Sequence, residues 1–147
     1  MGNFKLTSSA FSDGGEIPRE CGYKNGNKVP PLTVSGIPEG TGSLALIMDD
    51  PDAMGAVGKV WVHWVACNMA PTNTELENLD KIEGMTDFGE VGYGGPAPPD
   101  KRHTYVFKLY ALDSKLNLPD KSTKVDVEKA MEGHIIEQTQ LTGTYAP

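Results

Sequence analysis

Two histidines stand in settings suited to charge and proton chemistry. His63 lies inside the apolar run 60–69, flanked by Trp61 and Trp64, and His103 opens the run 103–112 just behind a Gly/Pro loop, residues 92–100. Upstream of both is an acidic, proline-marked stretch, Asp49-Asp50-Pro51-Asp52. Imidazole changes charge near neutral pH, and its two ring nitrogens let it bridge an acid and a ligand. Beside Asp50 or Asp52, either histidine would have its cationic form favoured. A cationic imidazole next to the amides of a glycine loop suits an anion such as phosphate or carboxylate. Tyr105, two residues along from His103, shares its face of a strand and offers a hydroxyl. Each feature also has a plain structural reading: a hydrogen-bonded core histidine, aspartates that favour turns, a core aromatic and a connector loop. His134, on a predicted helix, has no comparable context.

These residues need strands to position them. Residues 44–48 and 60–69 are apolar runs rich in Leu, Ile, Val and Trp, bounded by Gly, Pro and Asp, and predict strands buried on both faces. The two-residue repeat puts Trp61, His63 and Val65 on one face of the second run, and Val62, Trp64 and Ala66 on the other. Residues 103–112 predict a strong strand, with His103, Tyr105, Phe107 and Leu109 on one face. Shorter strands are expected at 4–8, 16–23 and 32–35, the second confined to an edge by Pro18. Residues 72–88 read as a long excursion with one helical turn. Thr123 and Asp126 fit a capping box that opens a helix through Ile136, and 140–146 could close a sheet.

Seventeen Gly and eleven Pro in 147 residues favour a loop-rich, β-dominated single domain, 1–147, over a helical bundle. The expected fold is an antiparallel β-sandwich of Greek-key type with one or two peripheral helices. A formal charge of −7 argues against nucleic acid or an anionic membrane as the main partner. No apolar run approaches the roughly 18 residues of a membrane span, so no stable membrane insertion is expected. The start has no signal-peptide hydrophobic region, which predicts a cytoplasmic protein, and Leu6 replaces the Ser or Thr of a myristoylation start at Gly2. Cys21 and Cys67 lack metal or redox spacing, and Cys67 reads as a small core residue. Two histidines and an aspartate could hold zinc or iron, but no compact H-x-H or H-x-x-x-H pair occurs, so neither metal nor cofactor is expected. No serine has a nucleophile-elbow context.

Three ordered motifs, DPDA at 50–53, WVHW at 61–64 and GGPAPPDKRHTYVFKLYAL at 94–112, resemble the phosphatidylethanolamine-binding protein family. The likeness is to its short prokaryotic branch, the Raf-kinase-inhibitor-like proteins, and extends over nearly the whole chain. The resemblance implies two antiparallel sheets and a small anion pocket at one end. By residue match that pocket uses Asp50, His63, His103 and Tyr105, with Pro98 and Pro99 in its wall and Trp61 beside it. It implies binding of phosphate-like groups, including a phosphoethanolamine headgroup, and in eukaryotic members regulation of kinases. Two positions depart from the family pattern: Met54 stands where Pro is common, and Thr104 replaces an Arg, with Arg102 on the other side of His103. Strand parity turns residue 104 away from the His103 face, so that departure is expected to affect loop bracing or partner contacts more than the pocket.

The residues and the resemblance together give a non-catalytic small-anion binding protein as the leading expectation. An Asp/His hydrolase of a small ester, with or without metal, is the alternative. Inhibition of an unidentified kinase or protease, and a homodimer, are further expectations.

Overall fold

The computed structural model describes residues 3–147; the Met1-Gly2 start considered above lies outside them. Strand β1 is Lys5–Thr7, β2 Gly15–Glu16, β3 Thr33–Ser35, β4 Ser43–Asp50, β5 Trp61–Met69, β6 Ile82–Glu83, β7 His103–Leu112 and β8 Ile135–Tyr145. Helix α1 spans Ala53–Val57 and α2 Lys124–Met131. Six strands form one open sheet in the order β2-β8-β7-β4-β5-β6, and β1 pairs with β3 in a second, two-stranded sheet. The fold is mostly β with few helices.

All eight residues of β4 are buried, which is why a continuous apolar run sits at the centre of the sheet. Leu44, Leu46 and Met48 enter one apolar cluster; Ala45 and Ile47 enter the other. The first cluster is closed by Phe4, just before β1, Leu6 of β1 and Val34 of β3. The second is closed by Val127 and Met131 of α2. Helix α2 starts where the sequence says it should. The Thr123 hydroxyl accepts from the Asp126 amide, and the Asp126 carboxylate accepts from the Thr123 amide. Thr123→Ala should therefore lower stability by about 1 kcal/mol, read as a shifted urea midpoint with an unchanged slope.

Several expectations need correcting. The helix stops at Met131 rather than Ile136, because Gly133 takes φ +80° and turns the chain into β8. β8 consequently begins at Ile135, well before residue 140. The segment 16–23 holds only the end of β2 and a 3₁₀ turn, Arg19–Cys21, and β2 runs parallel to β8, the one parallel pair among the named strands. The excursion 72–88 contains a 3₁₀ turn, Leu76–Asn78, and also the short edge strand β6. The acidic turn after β4 is shorter than expected: Asp49 and Asp50 still belong to β4, and Ala53 already starts α1.

The correction that matters most is in β5. Met48 pairs with Trp64, yet Asp49 pairs with Val62, so His63 is an extra residue in a β-bulge. Beyond the bulge the alternation is displaced by one. Trp64 and Ala66 face the first cluster, and Val62 and Val65 face the second. His63 therefore does not share a face with Val65 but lies on the same side as Trp64, where it meets the Tyr105 ring edge-on at 5.1 Å.

Candidate functional site

At the bulged end of the sheet a cavity of about 280 Å³ opens between β4, β5, β7 and α1. Asp50, His63 and His103 reach it from the sheet. Ala53, Ala56 and Val57 reach it from α1. The remaining wall is aromatic: Tyr23 stacks on Phe88 at 4.0 Å between ring centroids, and Trp61 meets Phe88 edge-on at 5.7 Å. Lys24 is the one lysine on the lining, so the site is an apolar cup with a charged floor.

The floor is built on His103. Its Nδ1 lies 2.6 Å from Asp50 Oδ2 and its Nε2 2.7 Å from Asp100 Oδ1. The ring is fully enclosed, and Asp50 is only 3% exposed. Burial disfavours the charged ring, but the hydrogen bonds and charges of Asp50 and Asp100 outweigh it, and the pKa is raised above 6.5. Between two carboxylates both nitrogens donate, so the ring is held as imidazolium. The same contact lowers the pKa of Asp100.

His63 behaves oppositely. Its Nδ1 donates to the Gly94 carbonyl at 2.7 Å, and the Gly94 amide returns a bond to the His63 carbonyl at 2.8 Å. Burial drives its pKa below 6.5, against the smaller upward effects of the Gly94 carbonyl and of Asp50. The neutral ring then carries its proton on Nδ1 and leaves Nε2 as a bare acceptor. An acidic neighbour favours the cation at both histidines, as expected, but at His63 burial outweighs it.

Opposed shifts give a stability profile with a maximum. His103, with its folded pKa raised, contributes stability that is full below about pH 6.5 and lost as pH rises through the folded value. His63, with its folded pKa lowered, contributes above about pH 6.5 and loses that contribution as pH falls through its folded value. Melting temperatures should fall on the alkaline side in wild type, and that fall should vanish in His103→Gln. An identical alkaline slope in both proteins would contradict the assignment.

The other anticipated residues divide. Trp61 lines the cavity, and its indole Nε1 is buried with no hydrogen-bond partner among the described residues. Tyr105 lies beneath the floor instead of lining it; it is fully buried, and desolvation together with the nearby Asp50 charge raises its pKa. Pro99 lines the cavity, but Pro98 faces a neighbouring cavity with Arg19 and Tyr145. Asp52 is outside the lining: its Oδ2 accepts from the Thr104 amide at 2.8 Å, bracing the start of α1 against β7. The donor is the backbone amide of Thr104, so this bond does not depend on the side chain at that position. Asp49 points to the opposite face, where Lys108 (3.1 Å) and Lys124 (2.8 Å) neutralise it.

Sequence reasoning missed Tyr23, Lys24, Phe88, the α1 residues and Asp100. Only Asp100 left a signal, three residues before His103 at the end of the Gly/Pro loop. Among the described residues no three His, Cys, Asp or Glu side chains cluster as a metal site. No helix there is long and apolar enough to cross a membrane.

A family model described as phosphatidylethanolamine-binding protein matches residues 7–146. A UPF0098 protein of Methanothermobacter thermautotrophicus is 43% identical, with 95% of this chain and 97% of the relative covered. The crystal structure of CT736 from Chlamydia trachomatis, described as a homologue of phosphatidylethanolamine-binding protein, superposes with a TM-score of 0.89 at 38% identity, covering 97% of this chain and 96% of that one. That of E. coli YbcL, described as a new member of the mammalian PEBP family, gives 0.87 at 32% identity, covering 98% of each chain. With this overlap along nearly its whole length, the chain belongs to the phosphatidylethanolamine-binding protein family.

Proposed function

We propose that this protein binds small anions, phosphate or a phosphoethanolamine-type headgroup, without transforming them. One observation carries the reading: a cationic imidazole, His103, is held by Asp50 at the floor of a cup whose walls are otherwise apolar. An anionic oxygen that takes the place of Asp100 on His103 Nε2 gains a charge-assisted donor there and a second cation in Lys24 at the rim. His63, neutral with a bare Nε2, accepts from a protonated ligand oxygen or an ammonium. The apolar wall of Trp61, Phe88 and Val57 then covers the organic part of an ester. Asp50, His63, His103, Trp61 and Pro99 contact the ligand in this reading, with Tyr105, Asp52 and Pro98 supporting from behind.

Calorimetric titration of inorganic phosphate and phosphoethanolamine tests this, with wild type and His103→Gln compared at about pH 6.5 and 8.5. Binding should be stronger at the lower pH, where His103 is charged, and should disappear in the variant. Equal affinity at both pH values would overturn the assignment to His103.

A second reading, an Asp/His hydrolase of a small ester, is favoured by His63 itself, a neutral imidazole with a free acceptor nitrogen inside a cavity. It predicts turnover of phosphomonoesters that His63→Gln abolishes. The remaining parts of the proposal follow the family: a single domain over 1–147 of the Raf-kinase-inhibitor-like type, sheets packed as a Greek-key sandwich, a cytoplasmic setting, homodimerisation, and inhibition of a kinase or protease through the cavity mouth.

A further inference from the structure

We propose that Asp100 is a displaceable internal anion that sets the specificity of this cavity: its carboxylate sits on His103 Nε2, the position a ligand's anionic oxygen must take. The inference rests on the anion-binding reading above.

The geometry supports it from both partners. His103 has two ring nitrogens, and each is engaged by a carboxylate, Asp50 at 2.6 Å and Asp100 at 2.7 Å. The two carboxylates are not equivalent. Asp50 belongs to β4 and its side chain is 4% exposed, so it cannot leave without unpairing a buried charge. Asp100 belongs to the Gly/Pro loop and its side chain is 43% exposed, so it can turn into solvent with little desolvation to undo. It is also tethered: Asp100 Oδ1 accepts from the Lys101 amide at 2.9 Å, a local turn that keeps the carboxylate near the ring.

With Asp100 in place, Asp50, Asp100 and charged His103 sum to −1, and no donor of His103 remains for a ligand. With Asp100 turned out, the Asp50–His103 pair is neutral and Nε2–H is free. A ligand therefore exchanges one anion for another on the same nitrogen. A carboxylate ligand offers no better acceptor than the residue it displaces, which is already held at high effective concentration. A phosphate monoester brings more charge and additional oxygens that reach Lys24 and His63 in the same cavity. The exchange thus selects phosphate over carboxylate.

Affinity is reduced by the fraction of molecules in which Asp100 is out of the way. If that fraction is about one in ten, Asp100→Asn should bind phosphate about tenfold more tightly, since the amide keeps the turn and loses the charge. The same variant should begin to bind acetate, narrowing the preference for phosphate. Asp120→Asn, at an exposed site without a hydrogen bond to the cavity, changes the net charge equally and should change nothing. Calorimetry with phosphate and with acetate on the three proteins at about pH 6.5 decides it. Unchanged or weaker phosphate binding in Asp100→Asn, or an equal gain in Asp120→Asn, overturns the inference while leaving anion binding intact. No binding by wild type or by Asp100→Asn overturns both. Wild type alone gives an independent reading by carboxyl carbon NMR. Saturating phosphate should return the Asp100 titration from its lowered position to that of an ordinary aspartate, and a titration that stays low overturns the exchange.

Discussion

His103→Ala is expected to lower the unfolding free energy by about 3–5 kcal/mol, the largest stability effect of any single substitution at the candidate site. The loss does not come from the volume of the ring. Asp50 is 3% exposed, its Oδ2 has His103 as its partner, and its Oδ1 is buried without any hydrogen-bond partner among the described residues. Removing the imidazolium leaves a carboxylate in an apolar surround without its counter-charge and without the donor on its Oδ2. The charge, more than the cavity, should dominate, so Asp50→Asn introduced into the His103→Ala background should recover a good part of the loss. A urea double-mutant cycle measures this directly. A cycle in which Asp50→Asn adds to the damage would mean that packing, and not the buried charge, set the cost. This is also why His103→Gln, which keeps a donor for Asp50, is the right variant for ligand measurements.

Gly95→Ala should be nearly as severe, about 3 kcal/mol, through an unrelated cause. A methyl group at Gly95 would run into the Cys21 carbonyl and come within 2.9 Å of the Tyr23 amide nitrogen. Both obstacles are backbone and cannot swing away, so the Gly/Pro loop must lift off the segment beneath it. Lifting would break the Gly95 amide bond to Asn27 Oδ1 (2.7 Å) and strain the adjoining bond from His63 to the Gly94 carbonyl. Thermal melts and phosphate affinity should therefore fall together. Gly55→Ala in α1 is the contrasting case: nothing lies within 4 Å of the added methyl, and its φ is not in the left-handed region. That substitution should stabilise by about 0.5–1 kcal/mol. Comparable losses at both glycines would refute the steric account.

How far the sequence could be read depended on whether the information was local. The faces of β7 followed from alternation alone: Tyr105, Phe107 and Leu109 enter the first cluster and Tyr110 the second. The start of α2 was legible because the capping box is a bond between residues three apart. The side of β5 that His63 occupies was not, because a bulge is a property of two strands and shows only in the pairing of Asp49 with Val62. Alternation counted along β5 alone put Val65 on the wrong face. The aromatic wall was hidden for a similar reason. Tyr23 and Phe88 belong to loops without periodicity, and nothing in either segment says that the rings stack. The acidic stretch after β4 looked like one cluster, but β-strand alternation sends Asp49 to Lys108 and Lys124, and Asp50 to His103. Several residues named by motif likeness lie around one cavity, and strand pairing decided which of them face it.

The position of β8 has a consequence for how the chain acquires its structure. The last strand is inserted between β7 and β2, holding residues 103–112 on one side and residues 15–16 on the other. Its final tyrosine, Tyr145, donates to the Arg19 carbonyl and accepts from Asn25. The segment that carries Tyr23 and Lys24 is thus anchored by residues more than a hundred positions later. During synthesis the sheet cannot be completed, nor that wall of the cavity fixed, until β8 has emerged. Contacts of such sequence separation make folding slow relative to a helical chain of this size. Until that moment the outer edge of β7 is an unpaired strand, the species most prone to pair with the wrong neighbour.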